Sequence, residues 1–357
     1  MVGGKLAVQG FFVISGFYMS LILNEKYPAG AGGSWLFYSN RFLRIYPIYW
    51  AILTVSVALF ATIFFAEYFV PTLFHSYFHN LTAVGPAQRF WELSVDKILF
   101  LVGTNVGLFG MDVGYFLRFD LAHLAFTKNW SLNQPHPSDL YFIPQAWSLA
   151  IEVSVYVIAP FIFRRSVGFL FALFFFSFAL RTYVFDAGYK YDPWDYRFFP
   201  FEFGLFLAGA LLYRLYRTAP QVVHHRAVGW LSLSVCIASI IAYQFVPATA
   251  QSDGSLFGFE RREWLFLAPF AMCLPATFAL SKSWKFDRWV GELSYPIYLC
   301  HLIVVQACNG KFGWQGVKPI IGSVIVAIAL TISLEVPLNR IRQARTRRFM
   351  LMTAEPM

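Results

Sequence analysis

Nine long apolar runs follow one another along this chain, and the intervals between them are short except for one long segment, 71–144. A helix that spans a bilayer needs ~20 mostly apolar residues, and the runs are too continuous for the alternating strands of a membrane β-barrel. Only 13% of the 357 residues are charged, whereas soluble domains carry about 25%. The sequence therefore predicts an all-α, polytopic transmembrane helical bundle, with spans at 6–23, 45–70, 145–163, 166–185, 199–213, 228–246, 264–281, 291–308 and 319–336.

The basic residues between these runs predict how the helices alternate across the membrane. Lys and Arg concentrate in cytoplasmic loops, and nine spans place five basic clusters on one side. A further apolar stretch, 98–117, would break this alternation if it crossed, so we expect it to be re-entrant or interfacial. The same count starts residue 1 on the outer side, and we therefore expect one more helix upstream, giving ten spans. The clusters are Lys26/Arg41/Arg44, Arg164/Arg165, Arg214/Arg217/Arg226, Lys282/Lys285/Arg288 and the tail from Arg340 to Arg348.

No long hydrophilic stretch marks a second domain, so we expect one membrane domain, 1–342, followed by a basic cytoplasmic tail, 343–357. The net charge of +9 lies largely in the cytoplasmic clusters. It therefore indicates contact with membrane lipids and no nucleic-acid partner. His75 and His79 are four residues apart but lack further ligands nearby, and we predict no metal site.

His301 is one of the polar residues inside the apolar runs, where an ionisable side chain costs at least ~2.5–3.5 kcal/mol and is a candidate for function. It follows Gly291 by ten residues, which is ~15 Å along a helix and close to the bilayer midplane. A histidine at this depth can accept and pass on a proton. It can equally hold the bundle together by a hydrogen bond between helices.

The other ionisable candidates inside the predicted spans, which need partners there, are Glu152, Arg181, Glu202 and Glu335. Glu152 follows Trp147 and Ser148, which mark the outer interface, by about one turn. Its carboxylate could orient a histidine, form an ion pair with Arg181, or act as a base. Glu335 lies near the inner end of the last span and is followed by Arg340. We expect Glu335 to snorkel to the interface or to pair locally.

The stretch RFLRIYPIYW places Arg41 and Arg44 at the predicted inner end of the second span. Residues three apart share one helical face, and two guanidinium groups on one face suit a phosphate or pyrophosphate ligand. The alternative is anchoring at the cytoplasmic interface without any ligand.

Four segments together resemble the acyltransferase-3 family of integral membrane O-acyltransferases. FFVISGF (11–17) resembles the FFVLSGF element of that family, and RFLRIYPIYW (41–50) resembles its RxxR element. WSLAIEVSVYVIAP (147–160) is similar to the WSLxxE element, and GELSYPIYLCHLIVV (291–305) to the GxxSYxxYLxH element. The segments occur in the family's order along the chain.

The resemblance implies transfer of an acyl group, most simply acetyl, from acyl-CoA to a hydroxyl of a saccharide such as a cell-surface or exported polysaccharide. It implies that Arg41 and Arg44 handle the acyl-CoA co-substrate from the cytoplasmic side, with no bound cofactor. It also implies a multi-pass protein of a cell inner (plasma) membrane, as in bacteria, with ten spans and both termini in the cytoplasm.

The sequence departs from the family pattern at two places. Val153 stands where the family usually has a second acidic residue, beside Glu152. The family's first helix, with an arginine and the histidine taken to be the base, has no counterpart here. His301 and Glu152 are therefore candidates for catalytic or supporting roles. We expect either a start of the chain further upstream or an inactive, truncated homologue.

A transporter or flippase of lipid-linked sugars is the alternative from a different class of protein. Such a protein would also carry intramembrane charges and interfacial aromatic residues. It is expected to show inverted repeats with helices broken at matching positions, and no such internal symmetry is evident in the sequence.

Overall fold

The computed structural model describes residues 3–27, 29–69, 93–119, 125–129, 136, 139–247, 256–308 and 317–354, most of which are helical. The chain divides into two compact units. The first comprises residues 1–34, 127–131 and 148–287, and the second comprises 35–126, 132–147 and 288–357. The helices are α1 (Gly4–Glu25), α2 (Ala31–Phe69), α3 (Val95–Gly107), α4 (Trp147–Ile162), α5 (Val167–Asp186), α6 (Phe199–Thr218), α7 (Arg226–Phe245), α8 (Arg261–Ser281), α9 (Lys285–Cys308), α10 (Lys318–Leu330) and α11 (Val336–Ala354).

These helices occupy all nine predicted spans, which confirms an all-α polytopic bundle. Seven helical segments among the described residues are long and apolar enough to cross a membrane. The other two predicted spans coincide with α6 and α9, whose hydropathy is lowered by polar residues such as Glu202 and His301. The seven are Gly4–Glu25, Gly32–Phe65, Pro144–Ile162, Val167–Asp186, Arg226–Phe245, Arg261–Ser281 and Lys318–Met352.

The stretch 98–117 does not form one continuous helix. Helix α3 has 13 residues, which rise about 20 Å and fall short of a ~30 Å hydrocarbon core. A turn through Gly110, which has a positive φ, leads to a 3-10 helix at Val113–Phe116. The strand β1 (Leu117–Arg118) follows and pairs antiparallel with β2 (Ala125–Phe126). A short helix with a turn fits the expectation that this stretch does not cross as a single span.

The outward face of α5, in the first unit, is suited to contact with lipid. Phe175 and Phe176 are more than half exposed, as is Tyr183 near the helix end. The opposite face buries Ser177 and Arg181 against the bundle. A helix with large aromatic side chains outside and polar side chains inside is expected in hydrocarbon, where polar groups need partners within the protein.

Helices α1 and α6 of the first unit approach each other closely at two glycines. A Cβ atom at Gly16 would overlap the carbonyl oxygen of Phe206, and one at Gly209 would overlap the carbonyl oxygen of Val13. Beside this contact the rings of Phe12 and Phe206 stack with centroids 4.8 Å apart. Small residues permit such close packing of membrane helices, so the glycine of FFVISGF has a packing role.

We expect Gly16→Ala to destabilise the protein by about 1–3 kcal/mol, because the added methyl forces α1 and α6 apart. Thermal unfolding in detergent micelles measures the effect. Gly168→Ala is the matched control, since it also adds a methyl to a helix but has no neighbouring atom within 4 Å of that position. Equal melting temperatures for the two variants would contradict this packing role.

The second unit contains two helical segments longer than predicted. Helix α2 has 39 residues and continues through Pro47, so the predicted start at residue 45 is wrong and the RxxR element lies inside the helix. Helices α10 and α11 are joined by a π-helical turn at Thr331–Glu335. Residues 343–354 continue α11 as a helix.

Candidate functional site

Three of the four predicted site residues belong to the second unit. Arg41 and Arg44 lie on α2, and His301 lies on α9. Glu152 lies on α4 in the first unit. Each unit therefore has its own set of polar contacts.

A buried carboxylate holds Arg44 in the second unit. Nη1 of Arg44 forms an ion pair with Oε1 of Glu335, and Nη2 of Arg342 lies 2.8 Å from the same oxygen. Glu335 is 0% exposed. Two guanidinium groups compensate the burial of this carboxylate, which would otherwise be costly.

The expectation that Glu335 snorkels to the interface is wrong, whereas the expectation of local pairing is met in part by Arg342. Its side chain is buried, and its partners are Arg342, seven residues along, and Arg44 on another helix. The π-helical turn that ends at Glu335 inserts an extra residue into the helical repeat, and such turns often occur at functional sites. No pattern in the sequence predicts this turn.

Helix α11 supplies two arginines to this site, Arg342 and Arg345, with the same spacing as Arg41 and Arg44. Nη2 of Arg345 donates to the Ser39 hydroxyl at 2.8 Å. Arg41 and Arg44 are both near enough to repel the Arg342 charge. The second RxxR is visible in the sequence, but there it is indistinguishable from the general charge of the basic tail.

A second bond attaches α11 to α2 beside these arginines. Nδ2 of Asn40 donates to the Thr346 hydroxyl at 3.0 Å. Together with the Arg345 bond to Ser39, it fixes the two helices where the two arginine pairs meet. We call Arg41, Arg44, Arg342 and Arg345 the arginine cluster.

Helix α9 connects the arginine cluster to His301. The Arg44 guanidinium carbon lies 5.9 Å from the centroid of the Tyr295 ring. The Tyr295 hydroxyl donates to the carbonyl of Ile45 at 2.7 Å. His301 follows Tyr295 by six residues on the same helix, which is about 9 Å along its axis.

The backbone fixes which nitrogen of His301 carries a hydrogen in the neutral ring. Nδ1 lies 2.7 Å from the carbonyl oxygen of Tyr298 and 3.2 Å from that of Ile297. Carbonyl oxygens only accept hydrogen bonds, so Nδ1 carries the hydrogen and Nε2 has the lone pair. Among the described residues Nε2 has no hydrogen-bond partner. His301 can therefore accept a proton at Nε2.

Gln145 holds the backbone of α9 next to His301. Its Nε2 donates to the carbonyl of Leu299 at 2.8 Å, and its own main-chain carbonyl accepts a bond from the Tyr298 hydroxyl. The side chain and main chain of one residue thus hold the turn that carries the histidine.

In the first unit Glu152 joins two of the quoted sequence segments. Its Oε1 accepts a hydrogen bond from the Ser15 hydroxyl at 2.9 Å and one from the Tyr156 hydroxyl. Ser15 belongs to FFVISGF, and Glu152 belongs to WSLAIEVSVYVIAP. A buried carboxylate between two hydroxyl donors is well suited to fix the position of α1 against α4.

The suggested ion pair between Glu152 and Arg181 is wrong. Nη1 of Arg181 lies 2.9 Å from Oε1 of Glu202, and its Nη2 donates to the backbone carbonyl of Asp195. Its guanidinium carbon also lies 3.7 Å from the centroid of the Phe259 ring. Arg181 is 2% exposed and Glu202 is 0% exposed. This pair is therefore fully desolvated.

Lys5, near the start of α1, forms ionic contacts with two buried carboxylates, which no sequence pattern predicts. Its Nζ lies 3.2 Å from Oδ2 of Asp195 and 3.0 Å from Oε1 of Glu263. Burial raises the pKa of the Asp195 carboxyl, and the Lys5 charge opposes that rise. The three residues are far apart in sequence. Asp195 lies in an aromatic loop between two spans, and such loops are common at the membrane–water interface.

No group of three or more His, Cys, Asp or Glu side chains that could hold a metal ion occurs in the part of the chain that the structure describes. The histidine pair noted in the sequence, His75 and His79, lies outside the described residues.

Comparison with known proteins places the chain in a family. The family model described as an acyltransferase domain, of the acyltransferase-3 type, matches residues 2–337. The match contains all four quoted segments, and it ends before Arg342 and Arg345. No curated protein and no solved structure matches the chain.

Proposed function

Because the chain belongs to the acyltransferase-3 family, we propose that this multi-pass membrane protein transfers an acyl group from acyl-CoA to a hydroxyl of a saccharide. The simplest acyl group is acetyl, and the proposed acceptor is a cell-surface or exported polysaccharide. The proposed location is the inner (plasma) membrane of a bacterium, where the donor is on the cytoplasmic side and the acceptor on the outer side.

The Arg41 and Arg44 pair carries this proposal. Acyl-CoA has a pyrophosphate group that cannot enter hydrocarbon and needs cationic ligands at the membrane boundary. Glu335 and Tyr295 of the protein itself hold the Arg44 side chain in position. A guanidinium that is already positioned loses less entropy when a phosphate binds.

The position of His301 supports the chemical step of the same proposal. With the donor phosphates at the arginine cluster, the thioester would extend into the membrane along α9 toward His301. The acceptor hydroxyl oxygen attacks the thioester carbonyl, and Nε2 of His301 takes the hydroxyl proton. When the tetrahedral intermediate collapses, the C–S bond breaks and the imidazolium returns the proton to the CoA sulfur.

Glu152 has a supporting role in this proposal. Its carboxylate receives hydrogen bonds from Ser15 and Tyr156 inside the first unit. We propose that it keeps the FFVISGF helix in place rather than transferring protons.

We expect Arg41→Ala and Arg44→Ala each to weaken CoA binding by about tenfold or more, because each removes a charged hydrogen-bond donor worth ~1.5–3 kcal/mol. Isothermal titration of the purified full chain in detergent measures the dissociation constant. Arg44→Lys should bind with intermediate affinity, because it keeps the charge and loses the forked geometry.

Arg226→Ala is the control for loss of one positive charge, since Arg226 is exposed at the start of α7. It should bind CoA within about twofold of the wild type at physiological salt, where exposed charges are screened. Unchanged CoA binding in both Arg41→Ala and Arg44→Ala would exclude the donor site proposed here.

A further inference from the structure

The arginine cluster consists of two matched pairs on two helices. Arg41 and Arg44 are three residues apart on α2, and Arg342 and Arg345 are three residues apart on α11. In each pair the two side chains share one helical face. Glu335 contacts one arginine of each pair, which brings the pairs to the same place.

The cluster carries more positive charge than its bridging carboxylate can balance. Glu335 supplies one negative charge to both Arg44 and Arg342, and Arg345 donates to the uncharged hydroxyl of Ser39. Nε of Arg342 is buried without a hydrogen-bond partner among the described residues. An excess of positive charge with an unused donor favours a polyanionic ligand over a neutral one.

Acyl-CoA carries two separate phosphate groups, a pyrophosphate and a 3′-phosphate monoester. One RxxR pair can bind one of these groups through several charged hydrogen bonds, and a second pair can bind the second group in the same way. Two pairs linked through one carboxylate match this division of charge. The second pair lies beyond residue 337, where the family match ends, so the family does not assign it.

We propose that Arg342 and Arg345 bind the 3′-phosphate of the donor while Arg41 and Arg44 bind its pyrophosphate, a proposal that rests on the function proposed above. Glu335 holds Arg44 and Arg342 at the boundary between the two phosphate positions. The cluster therefore selects CoA thioesters over thioesters that lack the 3′-phosphate.

The test compares CoA with 3′-dephospho-CoA, which keeps the pyrophosphate and the thiol arm and lacks the monoester. Both are titrated into the purified full chain at one fixed salt concentration. Wild-type protein should bind CoA about tenfold more tightly than 3′-dephospho-CoA. Arg342→Ala and Arg345→Ala should lose that preference, with CoA binding about tenfold weaker and 3′-dephospho-CoA binding within about twofold of wild type.

Arg345→Ala guards against a folding defect, and one further variant guards against a general charge effect. Arg345→Ala leaves the Glu335 ion pairs intact, because Arg345 donates to Ser39. Arg340→Ala, at an exposed arginine two residues before Arg342 on the same helix, should keep the wild-type preference.

Four results would overturn this proposal. Arg345→Ala with the wild-type preference for CoA would do so, as would an equal loss of affinity for both ligands. Wild-type protein that binds both ligands equally would contradict this proposal alone. Wild-type protein that binds neither would contradict the proposed function as well, so the two failures are distinguishable.

Discussion

Replacing His301 with glutamine should slow acyl transfer by about 10²–10⁴-fold, the usual contribution of a positioned proton-transfer group. Glutamine fills a similar volume and can hydrogen-bond to the carbonyls of Ile297 and Tyr298, but its amide cannot accept a proton at neutral pH. The affinity for CoA should stay within about twofold of the wild-type value. His301 lies about 9 Å along α9 from Tyr295, the residue that contacts Arg44. A lower rate with unchanged binding is the result expected for a group that acts in the transition state.

The control for this experiment is His225→Gln, since His225 is an exposed histidine just before α7. That variant should transfer acyl groups at the wild-type rate. If His301→Gln also kept the wild-type rate, His301 would be a structural residue and the base would have to be another group.

Arg181→Met should destabilise the protein by about 3–5 kcal/mol, the largest stability effect that we expect in this chain. Methionine fills much of the arginine volume but leaves the Glu202 carboxylate buried without its guanidinium partner. It also removes the cation above the Phe259 ring. Equilibrium unfolding in detergent micelles measures the change in the free energy of unfolding.

A double-variant cycle separates the ion pair from packing. Arg181→Met combined with Glu202→Gln should be more stable than Arg181→Met alone, because the second change removes the uncompensated buried charge. Arg217→Ala is the control at an exposed ion pair, where Arg217 and Glu25 are 3.2 Å apart with side chains 59% and 34% exposed. Its free energy of unfolding should equal that of the wild type within the error of the measurement, because water screens this exposed pair. A double variant that is no more stable than Arg181→Met alone would show that the loss comes from packing and not from the unpaired charge.

The sequence predicts the helices well because membrane spans are specified locally. An apolar run of sufficient length has little alternative to a helix in lipid, since every backbone polar group must be paired within the segment. This local rule is sufficient for the seven segments that are long and apolar enough to cross a membrane, and α6 and α9 are helical despite their polar residues. The predicted start of α2 is wrong because the polar residues before Arg41 are helical too, and polarity ends a membrane run without ending a helix.

The partners of the buried charges could not be predicted in the same way. Glu335 pairs with Arg44, and Lys5 pairs with Asp195 and Glu263. Such choices depend on which helices are neighbours, and a single sequence contains no record of that.

The RxxR spacing, unlike the partners of the buried charges, can be interpreted from the sequence alone. It indicates a shared helical face from sequence alone, and the structure places a second pair beside the first. The spacing of the arginines thus predicts an anionic ligand such as phosphate. The packing of the helices determines how many arginine pairs meet.

Acyl transfer itself is tested most directly with radioactive acetyl-CoA and the purified chain in proteoliposomes, with polysaccharide from the source cell as acceptor. We predict alkali-labile label on the polysaccharide, release of free CoA in equal amount, and loss of both in His301→Gln and Arg44→Ala. Wild-type protein that binds acetyl-CoA but leaves the polysaccharide unlabelled would contradict the proposed transfer.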